Sequence, residues 1–245
     1  MVGIGNKLCR VCCMNTQKPT PVNYSNTHCE VEEIFYTLQG EGPFTGHPAV
    51  FIRLSGCNLL CKRCDTNYSS FHSMTVDDVV EEAINIQHNA QLAVVTGGEP
   101  FRQYPLAPLI DALLQRFLTV QIETSGSCYQ PTFTALKKAY PEHIKVVCSP
   151  KTPRLHPLIL QHIDAYKYVV RFGAVDEDGL PNEEPQKFKL IPVAKPHDPN
   201  IPVYISPWDE KDLELNILNT QQAVDVCLKH GYFLSLQIHK IVNLP

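Results

Sequence analysis

Nearly continuous apolar runs, each ended by polar or glycine residues, alternate with helical patterns about six times along the chain. The predicted parallel strands cover residues 49–54, 92–96, 120–123, 144–148, 165–170 and 202–205. Strands that are apolar on both faces are typical of parallel sheets covered by their connecting helices. The pattern therefore predicts an α/β fold, a partial TIM-like barrel of about six parallel strands with flanking helices. A doubly wound open sheet would produce nearly the same sequence.

Capping residues, turns and periodicity predict the other elements. These are a helix after Thr75, helices over 105–117 and 218–229, and strands over 31–37, 233–238 and, within an insertion at 176–199, near 188–191. Gly231 follows the third of these helices, where a C-cap glycine is expected.

The composition is that of an ordinary globular protein, with 245 residues, 44% hydrophobic and 19% charged. A net charge of −4 gives no support for a nucleic-acid surface, so we expect small-molecule partners. The sequence lacks a run of about eighteen apolar residues and the apolar core of a signal peptide, so no membrane association is predicted. The ten cysteines form no even framework of spaced pairs, which favours a reducing compartment and a cytoplasmic location.

We predict one domain, residues 28–245, preceded by an N-terminal extension of residues 1–27. The extension is rich in Asn, Thr, Pro and Gly and has no hydrophobic period, so we expect it to be loosely ordered. Cys9, Cys12 and Cys13 lie in it without histidines nearby. We interpret them as unpaired thiols in preference to a metal site.

Cys57, Cys61 and Cys64 follow the predicted strand 49–54 at Cys-x3-Cys-x2-Cys spacing. The carboxyl ends of parallel strands are where α/β folds build their sites. Thiolates hold iron–sulfur clusters, and a four-iron cubane normally takes four of them, so three leave one iron open to a small molecule. The spacing therefore indicates a reaction centre. The alternative is a structural zinc site with a fourth ligand from His72 or elsewhere, since tetrahedral zinc accepts Cys3His sets.

Gly97-Gly98-Glu99-Pro100 directly follows the predicted strand 92–96. Glycines at this position let the backbone approach a ligand closely, and Glu99 is suited to receive an ammonium group. A simple turn from strand to helix is the alternative for this stretch on its own.

Arg53 ends an apolar strand, where an unpaired charge is costly, so we expect it to meet an anion. Its planar guanidinium matches a carboxylate of a substrate. A structural salt bridge is the alternative.

The cysteine trio and the Gly97-Gly98-Glu99 stretch resemble the radical S-adenosylmethionine superfamily. Further motifs narrow the resemblance: Leu38-Gln39-Gly40-Glu41-Gly42, Arg53, Cys64-Asp65-Thr66, Glu123-Thr124-Ser125-Gly126, Ser149-Pro150-Lys151 and the stretch Gln237-Ile238-His239-Lys240 with the terminal Pro245. From about Val31 to Pro245 the chain is similar to the 7-carboxy-7-deazaguanine synthase family of deazapurine biosynthesis.

The resemblance implies a radical S-adenosylmethionine core with a [4Fe-4S] cluster on the three cysteines, S-adenosylmethionine on the open iron, and Mg2+. The residues implied to contact S-adenosylmethionine are Gly98, Glu99, Glu123, Thr124, Ser149, Pro150, Lys151, Ser206, Pro207, Trp208 and Asp209. Those implied to contact a pterin substrate are Leu38, Gln39, Gly40, Arg53, Thr96, His239 and the terminal carboxylate of Pro245. Thr66 is the implied Mg2+ ligand, and a turn cap is its alternative role. Ser206-Pro207 departs from the Gln-Pro type pair of the family.

The implied reaction is a carbon–nitrogen lyase step in queuosine precursor biosynthesis. A 5′-deoxyadenosyl radical abstracts hydrogen from C6 of 6-carboxy-5,6,7,8-tetrahydropterin, and ring contraction with loss of ammonia yields 7-carboxy-7-deazaguanine. The resemblance also implies an external electron donor of flavodoxin or ferredoxin type, and a homodimer. A glycyl-radical-enzyme activating protein shares the cysteine spacing and is the alternative, but a small carboxylated substrate better explains Arg53, Thr66 and Pro245.

Overall fold

The computed structural model describes residues 17–61, 64, 66, 70–182, 184–186 and 189–244. Its strands are β1 (His28–Leu38), β2 (Pro48–Leu54), β3 (His72–Thr75), β4 (Leu92–Gly97), β5 (Thr119–Thr124), β6 (Ile144–Cys148), β7 (Ala165–Val170), β8 (Glu184–Gln186), β9 (Lys189–Ile191), β10 (Val203–Pro207) and β11 (Phe233–Leu234). Its α-helices are α1 (Val76–Asn85), α2 (Leu106–Leu114), α3 (Thr132–Ala139), α4 (Leu213–His230) and α5 (Ile238–Ile241). In these ranges no helix is long and apolar enough to span a membrane.

Within the described residues, nine strands form one sheet in the order β11-β10-β7-β6-β5-β4-β2-β1-β3. Neighbours from β2 to β11 in this order are parallel, whereas β1 is antiparallel to both β2 and β3. The six predicted parallel strands are β2, β4, β5, β6, β7 and β10, so the expected α/β architecture is confirmed. β8 and β9 form a separate antiparallel pair in the predicted insertion.

The four longer helices pack on the same face of this sheet. Val79 of α1, Leu109 of α2, Phe133 of α3 and Ala223 of α4 belong to one apolar cluster with strand residues. From β2 to β10 each new strand joins on the same side of the last, and right-handed crossovers then place every helix on one face. A doubly wound sheet reverses direction and carries helices on both faces. The strand order therefore favours the partial barrel over the doubly wound sheet.

The sheet curves around its other face. β1 and β7 are five strands apart in the order, about 24 Å across a flat sheet. Glu41, three residues past the end of β1, nevertheless forms an ion pair with Lys167 in β7. The segment after β11 also meets the loop after β1, because Gly42 N donates to Ser235 Oγ at 2.8 Å. In the described part of the chain β3 and β11 do not pair, so the barrel is open.

Several predicted element ends are confirmed. β6 and β7 have the predicted bounds. Thr75 caps α1 in a capping box, since its side chain accepts from Asp78 N at 3.1 Å and Asp78 accepts from Thr75 N. Gly231 ends α4 in the left-handed conformation, with φ of 75°.

Other predicted ends were wrong. α4 begins at Leu213, five residues before the predicted start, because the Asp212 side chain accepts from Leu215 N at 3.1 Å and caps the helix there. The strand predicted over 233–238 ends at Leu234, and Ile238 begins α5. Here Ile238 N donates to Gly40 O at 3.2 Å, a tertiary contact that replaces a strand ladder. β3 and α3 were not predicted.

The predicted extension 1–27 overlaps the described residues from residue 17 onward. There Asn23 pairs with Gln103 in an isolated parallel bridge, and Thr20 N donates to Cys57 O at 2.7 Å. Cys9, Cys12 and Cys13 lie outside the described residues. The division of the chain at residue 27 stays a prediction.

Candidate active site

The cysteine loop begins after β2, at the edge where the parallel strands end. Cys57, Cys61 and Cys64 are all partly exposed. Burial, with smaller contributions from the charges of Glu99, Cys61 and Cys64, raises the pKa of the Cys57 thiol to about 12. Cys61 and Cys64 therefore lie near enough to influence Cys57, and three cysteines are a donor set that suits an iron–sulfur cluster bound through thiolates.

A single-ion site was the alternative for the same cysteines. His72, the fourth ligand of the zinc alternative, lies exposed in β3, where it pairs with Val31.

The glycines after β4 are required by close packing against the cysteine loop. A Cβ on Gly98 would overlap the carbonyl oxygen of Gly56, and a Cβ on Gly97, whose φ is +123°, would overlap that of Leu54. Gly98 N donates to Leu54 O and Glu99 N to Gly56 O, both at 2.9 Å. The sequence predicted close approach to a ligand, and the structure adds close approach to the backbone that carries Cys57.

The Glu99 carboxylate lies inside the protein and accepts four hydrogen bonds. The donors are Phe101 N at 3.1 Å, Thr124 Oγ1 at 2.7 Å, Ser125 N at 2.9 Å and Ser125 Oγ at 2.5 Å. Burial raises the pKa of Glu99 although these donors favour its charged form. Glu99 and Thr124 thus join the ends of β4 and β5, and a direct contact of either with S-adenosylmethionine stays a prediction.

A cavity of about 520 Å³ opens on the concave face of the sheet. It brings together eight residues that the sequence assigned to the pterin substrate, to Mg2+ or to S-adenosylmethionine. They are Leu38, Gln39, Gly40, Arg53, Thr66, Thr96, Glu123 and His239. Its remaining walls are Glu32, Glu33, Phe35, Glu41, Phe51, Lys167, Gln237 and Lys240, to which the sequence assigned no role. The curvature of the sheet therefore collects most of the predicted substrate residues in one place.

Arg53 lies in this cavity and in a salt bridge. Its Nε is 2.6 Å from Glu33 Oε1 across the β1–β2 ladder, and its guanidinium carbon is 5.3 Å from the centre of the Phe35 ring. The structural salt bridge considered for Arg53 is therefore present. The planar side chain is held at the cavity wall by both neighbours.

Glu123 is the centre of a polar network in the cavity. One carboxylate oxygen accepts from Thr96 Oγ1 at 3.0 Å, and the other accepts from Gln39 Nε2 at 3.2 Å and Gln121 Nε2 at 3.0 Å. The sequence grouped Glu123 with the S-adenosylmethionine contacts. In the structure it lies beside Thr96 and Gln39, which were grouped with the substrate contacts.

Glu41 is a largely buried carboxylate that binds the C-terminal segment at the cavity wall. It pairs with Lys167 and accepts from Gln237 Nε2. Burial alone would raise its pKa, but the Lys167 charge and the hydrogen bonds outweigh burial and lower the pKa of Glu41 to about 2. Next to it, a Cβ on Gly40 would overlap the His239 ring. Within the motif at 38–42, the sequence assigned roles to Leu38, Gln39 and Gly40 but none to Glu41.

The remaining predicted cofactor residues lie along the same strand ends. Ser149 follows β6, and its N–H donates to Thr124 O at 2.8 Å. Pro207, Trp208 and Asp209 line a second cavity of about 220 Å³, which shares Gln237 and Lys240 with the larger one. Ser206 is fully buried, and Pro245 lies outside the described residues.

A curved parallel sheet with helices on one face and a three-cysteine loop at its rim defines the class of protein. Residues 51–154 match the model of the Radical SAM superfamily. This range contains the cysteine loop, the Gly97–Glu99 turn and Ser149–Lys151. The match implies a [4Fe-4S] cluster and S-adenosylmethionine as cofactors.

Two relatives match nearly the whole chain. The 7-carboxy-7-deazaguanine synthase of Rickettsia prowazekii (strain Madrid E) is 35% identical over 229 residues, 89% of each chain. That of Rhodospirillum rubrum is 38% identical over 228 residues, 87% of this chain and 92% of the relative. This chain belongs to the family of 7-carboxy-7-deazaguanine synthases, and the alternative of a glycyl-radical-enzyme activating protein is not favoured.

The fold is also that of a solved structure. The crystal structure of QueE from Escherichia coli superposes with a TM-score of 0.61 at 23% identity, covering 85% of this chain and 93% of the other.

Proposed function

We propose that this chain converts 6-carboxy-5,6,7,8-tetrahydropterin to 7-carboxy-7-deazaguanine, with loss of ammonia, in the biosynthesis of queuosine or a related deazapurine. The observation that carries the proposal is the polar cavity of about 520 Å³ beside the cysteine loop. Its volume is within the range of small-molecule sites, about 300–1,000 Å³. Arg53 and Thr66, which flank the three cysteines in sequence, both line it.

The charges of the cavity suit a carboxylated heterocycle with ring N–H groups. Arg53 and Lys240 line it as cations, and the Arg53 fork can bind the substrate carboxylate in two parallel hydrogen bonds. Glu123, oriented by Thr96 and Gln39, is an acceptor for ring N–H groups. We assign the further substrate contacts to Leu38, Gly40, His239 and the carboxylate of Pro245.

When bound, the cluster and S-adenosylmethionine supply the radical chemistry. Cys57, Cys61 and Cys64 would hold the cluster. Gly98, Ser149–Lys151 and Ser206–Asp209 would hold S-adenosylmethionine along the rim. The chain itself binds and orients the pterin, and its C-terminal segment, attached through Glu41, supplies Gln237, His239 and Lys240 to the cavity wall.

Three further assignments are part of the proposal. Thr66 is a ligand of a Mg2+ ion that orients the substrate carboxylate, as suits a hard cation with several non-protein ligands. The electron comes from an external donor of flavodoxin or ferredoxin type. The enzyme is a cytoplasmic homodimer of domains 28–245 that acts on a small molecule.

The test is anaerobic turnover of the reconstituted protein with the pterin, S-adenosylmethionine and a reductant, followed by mass spectrometry. We expect a product that has lost ammonia. Cleavage of S-adenosylmethionine without that product would contradict the proposed substrate.

The role of the chain terminus has a test of its own. Residues added after Pro245 should weaken binding of the pterin and leave the iron content unchanged. Unaltered affinity for the pterin would remove Pro245 from the site.

A further inference from the structure

Residues 17–23, which we call the N-terminal strap, cross the base of the cysteine loop and contact both of its ends. Thr20 N donates to Cys57 O at 2.7 Å. Gln17 Nε2 donates to Thr66 O at 3.0 Å. Cys57 is the first cysteine of the motif and Thr66 follows the last by two residues, so the strap spans the whole motif.

The strap is anchored to the turn that follows β4. Asn23 N donates to Arg102 O at 3.1 Å, and Tyr104 N donates to Asn23 O at 3.0 Å. The Asn23 side chain also donates to His28 O at 3.0 Å. The end of the strap nearest the core is therefore fixed by main-chain and side-chain bonds.

Two prolines make the strap stiff between its contacts. Pro19 and Pro21 have fixed φ angles, and each disfavours helical conformation in the residue before it. Prolines have no N–H, so Thr20 carries the one backbone donor of residues 19–21, and this donor is bonded to Cys57 O. A stiff, extended segment loses little conformational entropy when it holds the loop.

Arg102 joins the strap to the start of the cysteine loop. Its guanidinium is 1% exposed, donates to Ser55 O at 2.8 Å and to Pro21 O, and pairs with Glu30. A Cβ on Gly56 would overlap this guanidinium, so Arg102 packs directly under the residue before Cys57. The ion pair with Glu30 compensates the buried charge.

We propose that the strap and Arg102 are positioning elements that hold the ends of the cysteine loop so that its three thiols converge on a cluster. The inference rests on the cluster chemistry of the proposed function. Ligands on a loop need support from outside the loop to keep their geometry, and here a segment far away in sequence supplies it. Loss of the strap contact should loosen the cluster before it disturbs the fold.

The test compares Thr20→Pro, which removes the N–H bonded to Cys57 O and keeps an extended backbone, with Thr20→Ala, which keeps the N–H. We expect Thr20→Pro to release iron to a chelator several-fold faster than wild type and to alter the electron paramagnetic resonance spectrum of the reduced cluster. Thr20→Ala should match wild type in both. Wild-type iron release and spectrum in Thr20→Pro would overturn the proposal.

Alkylation of the apoprotein by iodoacetamide measures the loop without any cluster. In Thr20→Pro we expect faster modification of Cys57, Cys61 and Cys64, with the buried Cys29 and Cys148 unchanged as reporters of the fold. Unchanged rates at all five thiols would overturn the strap. A wild-type protein that assembles no cluster would instead refute the proposed cofactor chemistry, and alkylation would still decide the strap.

Gln17→Leu is the second variant, for the case in which Thr20→Pro exposes Cys29 and Cys148 as well. It removes a partly exposed side-chain amide and leaves the core intact. We expect faster alkylation of Cys64, the cysteine nearest Thr66 in sequence, with Cys29 and Cys148 protected. If Cys64 in Gln17→Leu were alkylated at the wild-type rate, the proposal that the strap holds both ends of the loop would be wrong.

Discussion

The cysteine loop and the cavity beside it are built in opposite ways. The loop carries its three thiols within eight consecutive residues, whereas the cavity takes its walls from β1, β2, β4, β5, β7 and the C-terminal segment. The loop needs distant residues only for support, but the cavity exists only because the sheet curves. Damage to the loop should therefore abolish chemistry, and damage to the cavity should weaken binding and stability by degrees.

Cys61→Ala should have the largest effect, because two thiolates do not hold a cubane that leaves one iron open. We expect loss of cluster assembly and of turnover, measured as iron and sulfide content and as product. Cys227→Ala, a buried thiol on α4 outside the site, is the matched control and should keep both. A fully active Cys61→Ala protein would rule out the radical mechanism.

Glu41→Gln should affect the cavity and spare the loop. The variant breaks the largely buried ion pair between Glu41 and Lys167, and breaking a buried ion pair costs about 3–5 kcal/mol of unfolding free energy. We expect that loss in denaturant unfolding, weaker pterin binding and unchanged iron content. Glu142→Gln, which breaks the exposed pair with Lys145, should cost about 0–1 kcal/mol. If Glu41→Gln also lost iron, the cysteine loop and the cavity would not be independent of each other.

The carboxylate of Glu41 also predicts that the free energy of unfolding falls in acid. The pKa of Glu41 is lowered from 4.5 to about 2 on folding, so its contribution is complete above about pH 4.5 and is lost as pH falls towards about 2. Since each pKa unit corresponds to about 1.4 kcal/mol, Glu41 contributes about 3 kcal/mol to the free energy of unfolding at neutral pH. Unfolding of wild type and Glu41→Gln between pH 7 and pH 2 measures it. Curves that stay parallel through this range would show that folding does not lower the pKa of Glu41.

Arg53→Lys tests the cavity wall at the point nearest the loop. Lysine keeps the charge but loses the planar fork, so we expect the pterin KM to rise about tenfold, a change of about 1.4 kcal/mol, with little change in cluster content. Arg116→Lys, an exposed site, should have no effect. An unchanged KM would assign Arg53 to its salt bridge with Glu33 alone.

Of these changes, magnesium should have the smallest effect on turnover. Its predicted ligand, Thr66, is also the cavity residue closest in sequence to the last cysteine of the loop. Raising Mg2+ should increase turnover several-fold by orienting the substrate carboxylate, and Thr66→Val should reduce that response. Turnover that is indifferent to Mg2+ in wild type would remove Thr66 from the site.

The sequence was sufficient for several local features. It predicted the six parallel strands, the helix cap at Thr75, the cysteine loop and the glycine turn, because each is a pattern within a few residues. It predicted the wrong ends for α4 and for the last strand, where Asp212 and the loop at 39–42 decide.

By itself, the sequence determined an α/β chain with a three-thiol reaction centre at one strand end, since apolar period and cysteine spacing are written along the chain. Only the tertiary structure decided that the helices share one face and that Glu41 meets Lys167, 126 residues away. It also decided that residues 17–23 lie under the cysteine loop. The physical reason is the curvature of the sheet and its packing, which join residues that no local pattern relates.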